Sequence, residues 1–178
     1  MDNADLRKRI LFVCTANICR SPTAEYLTRH RFGAEKFHVR SAGFLASDKS
    51  CPDELQRVLS GRGISVADHR SYKLDQDTVT AADLILTMES RHVLDATVLD
   101  RRALRKTMPL KEAAASIHQG DSIETFLKRV NDSRDPQKYL SAVDLDVADP
   151  YRKRLKVYER AVEEIDELVT TVLTRLQQ

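Results

Sequence analysis

A cysteine and an arginine lie near the start of this chain with five residues between them. Cys14 closes a short apolar run, Arg20 follows it, and Ser21 and Pro22 come directly after. A cysteine thiolate is a strong nucleophile, and the planar guanidinium of an arginine holds two oxygens of a phosphate at once. Residues of these types at this spacing therefore predict chemistry on an oxyanion such as phosphate.

The elements around this pair suit the same chemistry. The apolar run 10–14 predicts a buried parallel strand, and the apolar spacing after Pro22, ending at Gly33, predicts a helix. The loop between them can turn its backbone N–H groups toward an anion, and the start of the helix adds partial positive charge. A cysteine after an apolar strand is more often a core residue. The spacing to Arg20 and the strand–loop–helix context favour a stabilised thiolate at Cys14 instead.

Further strands and helices alternate along the chain. Apolar runs predict strands at 37–41, 83–88 and 106–110, and helices at 52–59, from about 89 onward, and over the closing amphipathic segment 158–176. This alternation predicts an α/β domain with a parallel sheet. We expect a single domain over 1–178, in which the less regular stretch 112–146 is a helical and irregular decoration.

Composition argues against several classes of protein. The chain has 178 residues and a formal net charge of +2, which gives no reason to expect a nucleic-acid partner. Three cysteines without a Cys-x-x-Cys pair argue against a structural zinc site and against a secreted disulfide framework. Residues 1–9 are polar, and the apolar run behind them is too short for a signal peptide or for membrane insertion. We therefore expect a cytoplasmic protein.

The loop sequence VCTANICRSP, residues 13–22, is similar to the signature loop of the low-molecular-weight protein-tyrosine phosphatases. The resemblance continues through the segments SAG at 41–43, HRS at 69–71, DLILTM at 83–88 and DPY at 149–151. It implies one three-layer α/β/α domain of the phosphatase I-like type, with a central parallel sheet of about four strands. It also implies hydrolysis of phosphotyrosine on a protein substrate, such as a bacterial-type tyrosine kinase. The reaction would pass through a phosphocysteine intermediate, without a metal or another cofactor.

Such a reaction needs a carboxyl group that gives a proton to the leaving group and then activates water. The residues alone leave Asp135, Asp146 and Asp149 open as candidates, since Asp-Pro is most often a plain turn. The resemblance selects Asp149, because Asp149-Pro-Tyr precedes the final helix as the acid loop of the family does. It also implies that Tyr151 forms a wall of the substrate pocket. The loop after Gly43 lacks the later aromatic residue of the family, and we expect Phe44 to take its place in that wall.

The resemblance assigns further residues around the nucleophile. The phosphate-binding loop would consist of Thr15, Ala16, Asn17, Ile18, Cys19, Arg20 and Ser21. A polar network of Asn17, Ser21, Ser41 and His69 would brace it, with the Ser21 hydroxyl hydrogen-bonded to the Cys14 sulfur. From the residues alone, Ser21 could equally cap the helix and His69 could be a surface histidine. The other histidines, among them His92, receive no role.

Several alternatives stay open at this point. Ala16 stands where the family commonly has glycine, which could restrict the loop and would fit a catalytically silent phosphate-binding module. Cys19 could form a reversible disulfide with Cys14 or simply fill space under the loop. An arsenate reductase of the same fold needs a relay of further cysteines, and none follows Cys51. A nucleotide-binding P-loop is disfavoured because Gly-x4-Gly-Lys-Ser/Thr is absent.

Overall fold

A four-stranded parallel sheet forms the centre of the computed structural model, which describes residues 7–33 and 35–176. Its strands are β1 (Lys8–Cys14), β2 (Phe37–Gly43), β3 (Leu84–Thr87) and β4 (Thr107–Pro109). They lie in the order β2-β1-β3-β4, so β1 is flanked on both sides and Cys14 sits at the carboxyl edge of the sheet. The strands predicted from the apolar runs are confirmed. Residues 1–6 of the polar leading segment lie outside the described residues.

Helices surround this sheet. They are α1 (Arg20–Phe32), α2 (Asp53–Ser60), α3 (Gln76–Ala81), α4 (His92–Leu99), α5 (Leu110–Ser116), α6 (Ile123–Asp132) and α7 (Leu155–Arg175). Short 3-10 segments occupy Arg101–Lys106, Pro136–Leu140 and Val143–Leu145. The sequence analysis did not predict α3, which is only one and a half turns long and is capped by the Asp75 carboxylate accepting from the Thr78 N–H. No helix in the described part of the chain is long and apolar enough to cross a bilayer.

The two faces of the sheet bury two separate cores, which gives the three-layer α/β/α architecture. Because successive side chains of a strand point to opposite faces, Ile10 and Phe12 of β1 pack into the larger cluster while Leu11 and Val13 pack into the smaller one. Helices α1, α2, α5, α6 and α7 supply the larger cluster, and α3 and α4 cover the other face. The predicted fold class is thus confirmed. Cys14, the last residue of β1, lies at the carboxyl edge of the sheet between the two helical layers.

The irregular stretch 112–146 contributes to the larger core. Ile117, Ile123 and Phe126 belong to the same buried cluster as the inner face of α7. Tyr139 is fully buried, and its hydroxyl donates a hydrogen bond of 2.8 Å to Glu112 at the start of the stretch. The decoration is therefore packed onto the sheet layer through apolar side chains, while the buried polar contact joins two parts of the stretch itself.

Candidate active site

The Cys14 sulfur lies at the end of β1, where the chain leaves the sheet and turns into the loop before α1. The backbone N–H of Asn17 donates to this sulfur at 3.2 Å, and the Ser21 hydroxyl lies 3.0 Å from it. The Asn17 side chain donates into Ser21 Oγ at 2.9 Å, which leaves the hydroxyl hydrogen of Ser21 free to point at the sulfur. Both donors can therefore stabilise negative charge on Cys14.

Asn17 holds the loop in shape. Its φ angle is 53°, in the left-handed region that asparagine tolerates better than most residues, and it is fully buried. Its side-chain nitrogen donates to Ser21 and to Ser41 Oγ at 2.8 Å, while its oxygen accepts from the Tyr72 N–H at 2.8 Å. The buried amide is thus satisfied on both ends, so the loop is pinned to β2 and to the segment before α3.

Two more buried groups complete this network. His69 Nε2 lies 2.8 Å from the carbonyl oxygen of Asn17, so this nitrogen carries the proton. The Ser41 hydroxyl donates to the carboxylate of Glu25 on α1. The structure therefore brings together Asn17, Ser21, Ser41 and His69, and it adds Glu25 and Tyr72. Sequence reasoning missed those two, because neither lies in a segment with a readable chemical pattern.

Gly43 lets β2 pass close beneath the loop. A Cβ at this position would lie 2.7 Å from the backbone nitrogen of Asn17 and 2.9 Å from the carbonyl carbon of Ala16. Both neighbours are backbone atoms, which cannot move aside without changing the loop. Ala16 itself does not have a left-handed φ, so its methyl group adds no backbone strain where the family commonly has glycine.

Arg20 is the first residue of α1, and its side chain is only 3% exposed. One terminal nitrogen donates to the carbonyl of Val147 at 3.0 Å, and the other donates to Glu89 at 2.7 Å and to Asp149 at 3.1 Å. Burial alone would lower the pKa of Arg20, but the negative charges on Cys14, Asp149 and Glu89 outweigh it and raise that pKa. The guanidinium is a permanent cation, held in a fixed plane beside the nucleophile.

Glu89 is the main site residue that sequence reasoning missed. Its carboxylate accepts from Arg20, from Thr15 Oγ1 at 3.1 Å and from Arg91 Nε at 2.9 Å. Burial opposes its ionisation, but the hydrogen bond from Arg20 and the nearby positive charges outweigh burial and lower the pKa of Glu89. A signal was available, since Glu89 lies two residues after the end of the buried strand β3, whose carboxyl end lies beside that of β1.

His92, to which the sequence analysis gave no role, is also buried at the site. Its Nε2 lies 3.4 Å from Thr15 Oγ1 and 3.8 Å from Glu89, and its ring packs on that of Phe44 with centroids 5.0 Å apart. Burial lowers the pKa of His92, which keeps the imidazole neutral near pH 7. Phe44 is thus engaged with His92 and does not line the cleft, contrary to the place we expected for it.

A cleft of about 150 Å³ opens in front of the sulfur. It is lined by the loop residues Cys14, Thr15, Ala16, Ile18, Cys19 and Arg20 together with Asp149 and Tyr151. Asp149 is half exposed, and its second carboxylate oxygen accepts from the Tyr151 N–H at 3.1 Å, which orients the loop. The two catalytic candidates from distant parts of the chain, Arg20 and Asp149, therefore meet at one opening.

The other two candidates for the general acid, Asp135 and Asp146, lie outside the cleft. Asp135 accepts from the Gln137 N–H and caps a 3-10 segment, and Asp146 accepts from the Ser90 N–H, so neither lines the cleft.

Ser21 is not the N-cap of α1, which is Cys19. Cys19 is a free, buried thiol, and burial followed by the charge of Asp149 raises its pKa.

Known proteins are similar to this chain in sequence and in fold. A sequence profile described as low molecular weight phosphotyrosine protein phosphatase matches residues 9–121. A probable low-molecular-weight protein-tyrosine-phosphatase EpsP of Ralstonia nicotianae is 29% identical over 96% of this chain and 97% of its own length. A protein-arginine-phosphatase of Geobacillus stearothermophilus is 32% identical over 95% of this chain and 96% of its own.

A solved structure agrees. The low-molecular-weight protein tyrosine phosphatase of T. tengcongensis superposes with a TM-score of 0.73 at 28% identity, covering 95% of this chain and 99% of its own. Fold and site together define the class of protein, which is a phosphatase. The chain belongs to the low-molecular-weight phosphotyrosine protein phosphatase family. Its relatives bear the names of both tyrosine and arginine phosphatases, so the substrate amino acid has to be argued from the site.

Proposed function

We propose that this phosphatase hydrolyses phosphotyrosine on proteins through a phosphocysteine intermediate, with Cys14, Arg20 and Asp149 as the catalytic residues and without a metal. One observation carries the proposal. Arg20 contacts Asp149 at 3.1 Å at the mouth of the cleft whose floor includes the Cys14 sulfur. A nucleophile, a phosphate clamp and a carboxyl group thus surround the space where a phosphate monoester would react.

In the first step the Cys14 thiolate attacks phosphorus in line with the ester oxygen. The S–P bond forms as the P–O bond breaks, and Asp149 transfers its proton to the departing phenolate oxygen. The loop N–H groups and Arg20 stabilise the charge that spreads over the three equatorial oxygens. Asp149 is protonated for this step because the incoming phosphate dianion takes its place at Arg20 and repels a second negative charge.

In the second step water attacks the phosphocysteine. Asp149, now ionised, accepts a proton from the water as the new P–O bond forms and the P–S bond breaks. The electron pair returns to sulfur, where the Ser21 hydroxyl and the Asn17 N–H stabilise the leaving thiolate. Inorganic phosphate is released, and Asp149 is again protonated for the next cycle.

The walls of the cleft favour tyrosine over arginine. Ile18 and Ala16 present apolar surface, and Tyr151 presents an aromatic ring, which suits the phenyl ring of phosphotyrosine. The guanidinium of phosphoarginine needs acceptors for its N–H groups, and burying them unpaired is costly. Ile18 and Ala16 offer no side-chain acceptor for those N–H groups. We therefore expect a tyrosine-phosphorylated protein in the cytoplasm, such as a bacterial-type tyrosine kinase, as the substrate.

Kinetics on para-nitrophenyl phosphate, a phosphotyrosine peptide and a phosphoarginine peptide test this proposal. Cys14→Ser should abolish turnover while the protein stays folded, and Asp149→Ala should lower kcat by about 100-fold to 10,000-fold with little change in phosphate binding. Asp135→Ala is the matched control and should retain wild-type kcat. Activity should also persist in a chelator.

Four results would overturn parts of the proposal. Turnover by Cys14→Ser would exclude the phosphocysteine, and a large loss in Asp135→Ala alone would move the acid to that residue. Faster hydrolysis of phosphoarginine than of phosphotyrosine would reverse the substrate assignment. A wild-type protein that binds vanadate but hydrolyses none of the three substrates would be a silent phosphate-binding module.

A further inference from the structure

The rim of the cleft carries a run of exposed cations. Arg152, Lys153, Arg154 and Lys156 follow Tyr151, the aromatic residue of the cleft wall, and all four are exposed. The guanidinium of Arg152 lies over the Tyr151 ring at 5.2 Å from its centroid, which places the first of these charges at the mouth of the cleft. We call Arg152, Lys153, Arg154 and Lys156 the basic rim.

In the part of the chain that the structure describes, no carboxylate forms an ion pair with the basic rim. Within residues 7–33 and 35–176, none of its four cations forms an ion pair, and Asp149, the nearest acid on the N-terminal side of the rim, contacts the buried Arg20. Some cations elsewhere on the surface are paired, as Arg31 and Arg62 are with Asp166. The positive charge of the rim is therefore available to a ligand.

The placement of these cations also works against the stability of the fold. The basic rim leads into α7, whose first turn holds no acidic residue and whose N-cap residue, Arg154, makes no side-chain capping bond. Cations at the start of a helix oppose the helix dipole, at a cost of about 0.3–1 kcal/mol each at low ionic strength. A local rule broken beside a functional cleft, with no capping bond or ion pair among the described residues to offset it, is typical of residues that serve binding.

We propose that the basic rim binds acidic residues that flank the phosphotyrosine of a protein substrate. This inference rests on the proposed function, because it needs a phosphotyrosine in the cleft. An extended peptide advances about 3.3–3.6 Å per residue, so neighbours one to three positions from that phosphotyrosine lie within about 11 Å of it. Arg152, which lies over the ring of the cleft residue Tyr151, is the first cation on that side of the cleft. Aspartate and glutamate side chains there would meet unpaired arginine and lysine groups, which select acidic substrates mainly by lowering KM.

Phosphotyrosine peptides that differ only in their flanking residues test the proposal. Each peptide carries three aspartates, three alanines or three lysines on one side of the phosphotyrosine, in separate N-terminal and C-terminal series. At low salt the wild-type protein should hydrolyse the acidic peptide of at least one series about tenfold more efficiently than the alanine peptide. The preference should fall toward unity at 1 M salt, where the screening length is about 3 Å.

A triple variant, Arg152→Gln with Lys153→Gln and Arg154→Gln, should lose this preference. The matched control is Arg101→Gln with Arg102→Gln and Arg105→Gln, which removes the same charge from exposed residues before β4, at the opposite edge of the sheet. The control should keep the full preference. A preference that both triple variants lose equally would show a nonspecific effect of net charge and would overturn the proposal.

The remaining outcomes separate the two proposals. If the wild-type protein hydrolyses para-nitrophenyl phosphate and all the phosphotyrosine peptides with no preference between acidic and alanine flanks, the basic rim is not a substrate site, although the proposed function stands. If no phosphotyrosine peptide is hydrolysed, the proposed function itself fails. Binding to phosphatidylserine vesicles that the rim variant loses, without any peptide preference, would assign the rim to a membrane surface and overturn the inference.

Discussion

At the scale of single residues, the site depends on how Arg20 is held as much as on Cys14. Val147 and Glu89 fix the guanidinium from two directions, and Glu89 in turn is held by Thr15 and Arg91. A bidentate clamp works only when its plane is preset, because a free arginine side chain must lose rotamer entropy on binding. Glu89 is therefore a positioning residue that acts through Arg20.

Substitution of Glu89 tests this role. Glu89→Ala should lower kcat/KM by about tenfold, since a loss of about 1.4 kcal/mol in transition-state stabilisation has that effect. Glu89→Gln, which keeps an oxygen to accept from Arg20, should retain most of the activity. Steady-state kinetics with a phosphotyrosine peptide measures both. Equal losses in the two variants would show that the charge of Glu89, and not its hydrogen bond, matters.

The same substitution changes how stability depends on pH. Because the folded-state pKa of Glu89 is lowered, its carboxylate stabilises the protein above the ordinary glutamate pKa of 4.5, and this contribution is lost as the pH falls through the folded-state value. At neutral pH the wild-type protein should thus be more stable than Glu89→Gln, and the difference should shrink below about pH 4.5. Urea unfolding at several pH values measures it, and a difference that grows on acidification would contradict the assignment.

At the scale of elements, the site exists because the ends of β1, β2 and β3 meet at one edge of the sheet. The loop after β1 lies across the end of β2, where Gly43 allows backbone-to-backbone contact, and Leu45 donates its N–H to the Thr15 carbonyl at 2.8 Å. The start of α1 then orients Arg20 and Ser21 toward the sulfur. Loop geometry is thus set by the packing of two strands and a helix, not by the loop alone.

Gly43→Ala tests this contact between elements. The new methyl group would overlap backbone atoms of Ala16 and Asn17, so the loop must shift, which should destabilise the protein by about 1–3 kcal/mol. Vanadate affinity should also fall, because the loop N–H groups would no longer all point at the bound anion. Gly61→Ala is the control, since its Cβ would meet nothing closer than 3.4 Å. Thermal unfolding and vanadate titration measure both effects, and unchanged vanadate binding by Gly43→Ala would contradict the close fit.

At the scale of the whole molecule, the stretch 112–146 and the sheet share one buried cluster. Phe126 of α6, Tyr158 of α7 and Phe12 of β1 all belong to it. Elements that bury their apolar faces against each other lose that burial together when one of them detaches. We therefore expect the decoration and the sheet to unfold as one cooperative unit.

Urea unfolding followed by circular dichroism and by tyrosine fluorescence tests this expectation. The two transitions should coincide, as they do for a single cooperative domain. Phe126→Ala should lower the free energy of unfolding of the entire protein by about 3–5 kcal/mol, because it leaves a cavity in the shared core. The exposed Val98 provides a control, and Val98→Ala should change stability by less than about 0.5 kcal/mol. Two separated transitions would show that 112–146 unfolds independently.

The sequence by itself was enough to predict the architecture and to single out the loop from Cys14 to Arg20 as the candidate site. The loop from Cys14 to Arg20, the strand before it and the helix after it are read from neighbouring residues, and the alternation of apolar runs predicts the parallel sheet. These features depend on local spacing, which a linear sequence displays directly. The choice of Asp149 over Asp135 and Asp146 already needed the resemblance to a family, because an Asp-Pro pair looks the same in a turn and in an acid loop.

Only the tertiary structure decided which distant groups meet. Arg20 and Asp149 are 129 residues apart, Arg20 and Glu89 are 69 apart, and neither contact follows from any periodicity in the chain. The close approach at Gly43, the burial of His92 and the position of Phe44 against it likewise result from how the layers pack. Packing depends on the shapes of all the contacting side chains together, so it becomes visible only once the sheet and its helices are assembled.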